Sequence, residues 1–262
     1  MHTDSIQVLY TISGFVIGAL TGVTGTGGGA LMTPMLILAF GIHPVTAVGT
    51  DLLYAFFTKA SGTVVHAHNR TVDWEVVGWM AVGSVPTTAI TLLGLYYMDV
   101  HGDATQNIVT KILGLALFLT AISLLFRKHL AQLYAKHVGS ISRELVRNLT
   151  ILTGAILGVL VSISSVGAGA IGVTALILLY PDMPMLRVVG SGIAHSVPLT
   201  LIAGLGHWAL GTIDGHLLGA LLIGSIPGIV LGSMLSRRIP EIAVRVTISG
   251  TLVVICAKFW FF

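Results

Sequence analysis

Charge is what this sequence has least of. Only 9% of its 262 residues are Asp, Glu, Lys or Arg, where soluble domains carry about 25%. With 55% hydrophobic residues and a mean hydropathy of +0.96, that scarcity excludes an ordinary soluble domain and implies an integral membrane protein in a lipid bilayer. Long apolar runs rather than short alternating strands make it all-α, since only helices and closed barrels satisfy their backbone in lipid. Cysteine is nearly absent as well. The single Cys256 excludes an internal disulfide, a CxxC motif and a cysteine relay. The first ten residues hold Asp4 and no Lys or Arg, so a signal peptide's basic n-region is missing and the first span is expected to be retained. The net charge of +3 is no nucleic-acid signal, because the basic residues cluster in loops between apolar runs. Neither a nucleophile–base pair nor a metal cluster is visible, so no enzyme, cofactor or metal is expected.

Glycine, by contrast, is abundant, and it is concentrated where helices should break. Gly25-Thr26-Gly27-Gly28-Gly29 interrupts an apolar run from Val8 to Phe40. Each glycine weakens a helix by about 1 kcal/mol relative to Ala. Ser164-Ser165-Val166-Gly167-Ala168-Gly169 interrupts a second run, from Thr150 to Tyr180. Paired glycine-broken segments in two halves of a chain point to a transporter binding site. Residues 8–24 and 28–40 are each short for a crossing of about 20 residues, which predicts a hairpin of two short helices with its tip inside the membrane. Full spans are expected at 46–66, 74–97 and 108–126, then a basic loop. The plan repeats as a broken pair, 150–166 and 168–180, with spans near 188–208, 215–235 and 246–262. This divides the chain into a first repeat, 1–126, a basic cytoplasmic linker, 127–149, and a second repeat, 150–262.

The repeat is visible in residues. Gly27-Gly28-Gly29-Ala30 matches Gly167-Ala168-Gly169-Ala170, and Pro44 matches Pro184. One residue further on, Val48-Gly49-Thr50 matches Val189-Gly190-Ser191, and Thr71-x-Asp73 matches Thr212-x-Asp214. Self-similarity in constant order marks an internal duplication. Placing 127–149 in the cytoplasm, as the positive-inside rule requires, also puts Arg70, Arg187, Arg237, Arg238 and Arg245 inside and both termini outside. Each half then makes an odd net number of crossings, so the two halves are expected to be inverted.

In that arrangement the second half-helix of each pair, starting near Gly28 or Ala168, begins at a tip in the membrane. Its first backbone N–H groups are unpaired and carry partial positive charge. Two converging N-termini make an anion site, with glycine allowing close approach. Thr24, Thr26, Ser164 and Ser165 add hydroxyls, and Thr50 and Ser191 open the next spans. Lys59 lies about 20 Å into its span at helical rise. A lysine there marks a pathway or a partner, or else snorkels to the interface; the functional reading is a counter-ion. Asp51, eight residues earlier, carries a proton or caps the neighbouring tips. His195, at the position matching Tyr54, binds the anion, titrates, or is a hydrogen-bonded core residue. The rows Gly14, Gly18, Gly22 and Gly224, Gly228, Gly232 are assigned to helix packing instead.

These residues resemble the TauE/SafE family of sulfite exporters. The resemblance runs through Gly22-x-x-Gly25-x-Gly27-Gly28-Gly29, Pro34, Gly41, Ala47-x-x-Thr50, Ser61-Gly62, His66 and Val72-Asp73-Trp74, with a weaker copy at Gly167, Gly169, Pro184 and Gly190-Ser191. It implies export of sulfite or a small organosulfonate such as sulfoacetate across the bacterial inner membrane. The expected function is therefore a secondary transporter of a small anion by alternating access. The substrate site would comprise Thr24, Gly25, Thr26, Gly27, Gly28, Gly29, Thr50, Lys59, Ser164, Ser165, Gly167, Gly169, Ser191 and His195, with Asp51 or His195 for a coupling proton. A small-anion channel could use the same tips, and a metal permease would use the histidines.

Overall fold

In a computed structural model the chain is all-helical. The described residues are 2–24, 28–100, 102–137, 142–235 and 241–261. They form α1 (His2–Thr24), a short 3-10 turn (Gly28–Leu31), α2 (Met32–Phe40), α3 (Pro44–His68), α4 (Trp74–Tyr97) and α5 (Asp103–His137). The second half adds α6 (Arg143–Ser164), α7 (Ala170–Leu179), α8 (Met185–Ala209), α9 (Gly215–Leu235) and α10 (Glu241–Phe261). Among the described residues six helices, α1, α4, α5, α6, α8 and α9, are long and apolar enough to cross a membrane. The 25-residue α3 is as long but carries Asp51, Lys59, His66 and His68, which lower its hydropathy.

The sequence places the full spans well but the broken pairs imperfectly. Spans predicted at 46–66, 74–97, 188–208 and 215–235 fall on α3, α4, α8 and α9 within three residues at either end. The first member of each broken pair, however, is no short half-helix. α1 begins at His2 and α6 at Arg143, giving 23 and 22 residues, about 33–35 Å at helical rise. Only α2 and α7 are short, with 9 and 10 residues. α2 starts at Met32 as a continuation of the 3-10 turn that opens at Gly28, and α7 starts at Ala170, two residues after Ala168. The segment 127–149 is mostly helix, because α5 runs on to His137 and α6 starts at Arg143. Helix propensity persists past the apolar stretch there, whereas hydropathy alone marks only the part that suits lipid.

Glycine decides how the helices pair. α1 packs against α9, α4 against α6, α3 against α8 and α5 against α10. A Cβ on Gly14 or Gly18 would collide with the backbone of Leu221 or Ser225; one on Gly224, Gly228 or Gly232 would strike the carbonyl of Thr11, Phe15 or Ala19. The two glycine rows thus pack on each other, bringing the backbones together. Gly83 and Gly154 do the same between α4 and α6, facing Ile151 and Met80. Numbers rise together in both contacts, so each of these pairs runs parallel. Large side chains fill two cores, one around Leu36, Leu117, Leu221 and Leu252, the other around Leu52, Met80, Leu157 and Leu199. Outward residues such as Tyr97, Ile223 and Val254 are exposed apolar groups, as lipid contact requires.

The turns after α3 and α8 share one design. Arg70 and Gly211 take positive φ, 55° and 70°. Thr71 N–H then donates to the His66 carbonyl at 2.9 Å, and Thr212 N–H to the His207 carbonyl at 3.1 Å. The same threonine oxygens lie 2.8 Å from His66 Nδ1 and 3.0 Å from His207 Nδ1. Asp73 caps α4 by accepting from Glu75 and Val76 N–H, and Asp214 caps α9 by accepting from His216 and Leu217 N–H. Each cap residue is itself held by the other long helix: Asp73 N–H donates to Ser191 Oγ at 2.8 Å, and Asp214 N–H to Thr50 Oγ1 at 3.2 Å. These two crossings fix α3 and α8 side by side and antiparallel.

Candidate functional site

The α6–α7 break is built by residues that leave the helical region. Ser165 ends α6 in the left-handed region at φ 58°. Gly167 follows at φ 113°, a conformation glycine adopts without the steric cost a Cβ brings. Ser164 stabilises the break locally, donating to the Leu160 carbonyl at 2.7 Å and accepting from Val166 N–H at 3.2 Å. The chain then enters α7, where the Ile171 and Gly172 N–H groups donate to the Gly167 carbonyl and the Val173 N–H to the Gly169 carbonyl.

That break borders a cavity of about 470 Å³ between α1, α3, α5, α8 and α9. Its inner end is formed by Asp51, Tyr54, Thr120 and Ser165 through Ala170, its outer end by Ser61, Val65, His66 and Val230, with Lys59 between. Burial follows the same gradient. Asp51 and Tyr54 are 1% and 2% exposed, whereas Val65 and Val230 are 59% and 54% exposed. The cavity therefore opens at the end where α3 finishes. Beyond Asp51, Val45, Val48 and Leu52 are buried, which closes the other end.

Asp51 accepts a hydrogen bond from the Thr33 hydroxyl of α2, so the first broken pair reaches this cavity through its short helix. Asp51 and Lys59 are two turns apart and both line it, within electrostatic reach although a straight helix keeps them from direct pairing. Three hydroxyls at the inner end, Tyr54 OH, Thr120 Oγ1 and Ser165 Oγ, are buried without a well-formed hydrogen bond, Ser165 lying toward Asp51 and Tyr54 toward Ser225. Such groups are costly in a folded protein unless a ligand or water completes them.

Of the residues expected in the site, Lys59, Asp51, Ser165, Gly167 and Gly169 line this cavity. Four others are placed elsewhere. Thr50 and Ser191 hold the Asp214 and Asp73 N–H groups, and Ser164 is spent on its own turn. His195 is wholly buried, with Nε2 2.9 Å from Ser84 Oγ on α4, and is not among the cavity residues. Thr50, Ser191 and His195 Nε2 are engaged across helices, which no local pattern reveals, while His195 Nδ1 is buried without a partner. Gly25, Thr26 and Gly27 lie outside the described residues, as does the side chain of Thr24; Gly28 and Gly29 enter the 3-10 turn before α2. Tyr54 and Thr120 escaped the sequence reading. Tyr54 carried a signal, since it matches His195 in the other half and lies one turn after Asp51; Thr120, inside the apolar α5, carried none.

Comparison with known proteins agrees with this architecture. The family model described as "Sulfite exporter TauE/SafE" matches residues 10–259. The probable membrane transporter protein YjnA of Bacillus subtilis is 35% identical over 218 residues, covering 83% of this chain and 85% of that protein. A probable membrane transporter protein of Methanocaldococcus jannaschii is 28% identical, covering 80% of this chain and 74% of its own length. YdhB of Bacillus subtilis, of the same description, is 26% identical over 79% of this chain and 81% of its own. No solved structure matches. A multi-pass helical chain that is glycine-broken in both halves and matched over nearly its whole length belongs to the TauE/SafE sulfite exporter family of membrane transporters.

Proposed function

We propose that this protein is a secondary transporter that exports a small sulfur oxyanion or organosulfonate across the bacterial inner membrane by alternating access. The observation that carries the reading is the cavity itself: one lysine, three buried hydroxyls without a well-formed hydrogen bond and the start of α7 border a single blind space. An anion bound there pairs with Lys59, receives the hydroxyls of Ser165, Thr120 and Tyr54, and lies near the positive end of α7. Asp51, in the same space, is the candidate for a coupling proton. The anion departs by the same cavity once its opposite wall opens.

Two inverted halves support alternating access. Residues 48–86 correspond to residues 189–227 at a constant offset, which equates Thr50 with Ser191, His66 with His207, Asp73 with Asp214 and Pro86 with Pro227. Both members of each glycine pairing, each Asp cap and each crossing bond recur in the other half. α3 and α8, equivalent by position, are antiparallel, which is the relation of an inverted pair. Arg187 pairs with Asp73 at 3.3 Å and Arg70 lies in the adjoining turn, so the cavity opens on the basic side. The positive-inside rule makes that side cytoplasmic, an orientation that admits a substrate for export and leaves both termini periplasmic.

A closed far end favours a transporter over an open anion channel. The histidines a metal permease would use are engaged separately: His66 with Thr71, His195 with Ser84 and His207 with Thr212.

Thermal unfolding of the purified protein against sulfite, sulfate, sulfoacetate, taurine, thiosulfate and chloride tests the reading. A ligand present at 100 times its Kd and bound only by the folded state adds about 2.7 kcal/mol. Selective stabilisation by a sulfur anion is expected. Stabilisation by divalent metals and by none of the anions would refute it.

A further inference from the structure

His207 closes one end of the molecule, and its counterpart His66 stands at the open end. His207 is 1% exposed. Its Nε2 lies 2.9 Å from the Ser162 carbonyl on α6. A carbonyl only accepts, so Nε2 carries the proton, and Nδ1 faces the Thr212 hydroxyl at 3.0 Å. The contact ties α8 to α6 two residues before the α6–α7 break. A Cβ on Gly49 of α3 would meet His207 Cβ at 3.1 Å and Nδ1 at 3.2 Å, so three helices converge on it.

His66 has the same neighbours in the other half, except one. Its Nδ1 faces the Thr71 hydroxyl at 2.8 Å. A Cβ on Gly190 of α8 would meet that nitrogen at 3.0 Å. The position equivalent to Ser162 is Gly22 on α1, by the same offset that matches Gly14 with Gly154 and Gly18 with Gly158. Gly22 and His66 instead both line the cavity. Of two equivalent corners, one is shut by a histidine–carbonyl bond and the other has its two partners facing open space.

We infer that His66 and His207 are alternating latches: the cavity closes when His66 Nε2 donates to the Gly22 carbonyl, and the opposite end opens when His207 releases Ser162. The inference rests on the inverted-halves reading above, but not on the identity of the anion. The ring of His66 is already held in place, because its Nδ1 lies against the Thr71 hydroxyl, which in turn donates to the His66 carbonyl; closure puts the ring proton on Nε2, the tautomer His207 already has.

The test uses a cysteine reporter in the whole protein with Cys256→Ala. Thr58→Cys lies on the cavity wall, where its hydroxyl bonds only its own helix. Its labelling rate with a polar thiol reagent reads how often the cavity is open, without any substrate. His207→Ala is expected to slow labelling severalfold, up to about tenfold, the effect of one hydrogen bond on a two-state ratio. Adding His66→Ala should restore the rate, and His207→Gln, which keeps a side-chain N–H donor, should stay near the parent. An unchanged or faster rate in His207→Ala, or no recovery in the double variant, overturns the latch in a protein that samples both states measurably. For a protein resting almost wholly open, the pair Gly22→Cys with His66→Cys decides, using a short bis-thiol cross-linker to trap rare closures. Accumulation of the bridged product supports the inference. Its failure to form while Ser162→Cys with His207→Cys is bridged overturns it. Loss of anion-dependent stabilisation would bear on the substrate reading and leave both outcomes intact.

Discussion

The corner around His66 and the corner around His207 are built from the same parts and end in different states. Both have a positive-φ residue, a threonine against the histidine, an aspartate cap and a crossing bond to the other long helix. Only the His207 corner is filled: its ring reaches α6, whereas the His66 ring borders a cavity. Because the local chemistry is shared, the difference cannot come from the turns. It comes from how far α1 and α6 stand from the α3–α8 pair, a distance set by packing across the whole molecule. A protein that can exchange those two distances moves its opening from one side to the other without changing any local fold.

The glycine interfaces are the part of the comparison that should be hardest to break. Gly224→Val places branched carbons against the Thr11 carbonyl, and we expect a loss of about 3 kcal/mol or more in thermal unfolding. Gly83→Val, its counterpart against Ile151, should cost a similar amount. Gly219 lies in the same helix as Gly224 with nothing near its missing Cβ, so Gly219→Ala should be neutral or slightly stabilising. Equal losses at 83 and 224 sharpen the equivalence of the halves, and a large difference breaks it.

Lys59 comes next, and it belongs to one half alone, since Thr200 occupies its matching position. Lys59→Ala should weaken anion binding by about 1.5–3 kcal/mol, the range of a charge-assisted hydrogen bond, as read by anion-dependent thermal shifts. An unchanged response removes it from the site. Smaller still are the crossing bonds. Thr50→Val and Ser191→Ala each strand an aspartate N–H, at about 1–2 kcal/mol, and the two should agree if the corners are equivalent. The smallest effect is expected at Arg187, whose side chain is half-exposed in its pair with Asp73 and has no partner pair at Thr46 in the other half. Arg187→Ala should change unfolding by less than about 1 kcal/mol.

Much of this was legible in the order of residues. The spans follow from hydropathy, because lipid demands a continuous apolar length whatever the neighbours are. The duplication follows from Gly49-Thr50 against Gly190-Ser191 and Thr71-x-Asp73 against Thr212-x-Asp214, since both copies need the same turn geometry. The glycine rows could be assigned to packing because a smooth stripe has only one use along a helix. Lys59 and Asp51 drew attention because charge in an apolar span is expensive and therefore seldom idle.

What the sequence could not determine was which polar groups face the cavity and which are consumed inside. Thr50, Ser191 and His195 look like ligand groups in one dimension, yet each is committed to another helix. Tyr54 and Thr120 look like ordinary residues of apolar spans, yet they end up with Ser165 on the cavity, their hydroxyls buried without a well-formed hydrogen bond. A side chain's partner is set by helices more than sixty residues away, through rotation and separation that period and composition do not encode. The chain alone specified a membrane-embedded helical protein with two related halves and a charged, glycine-broken middle. Only the tertiary arrangement decided where the cavity lies and which of its two equivalent ends stands open.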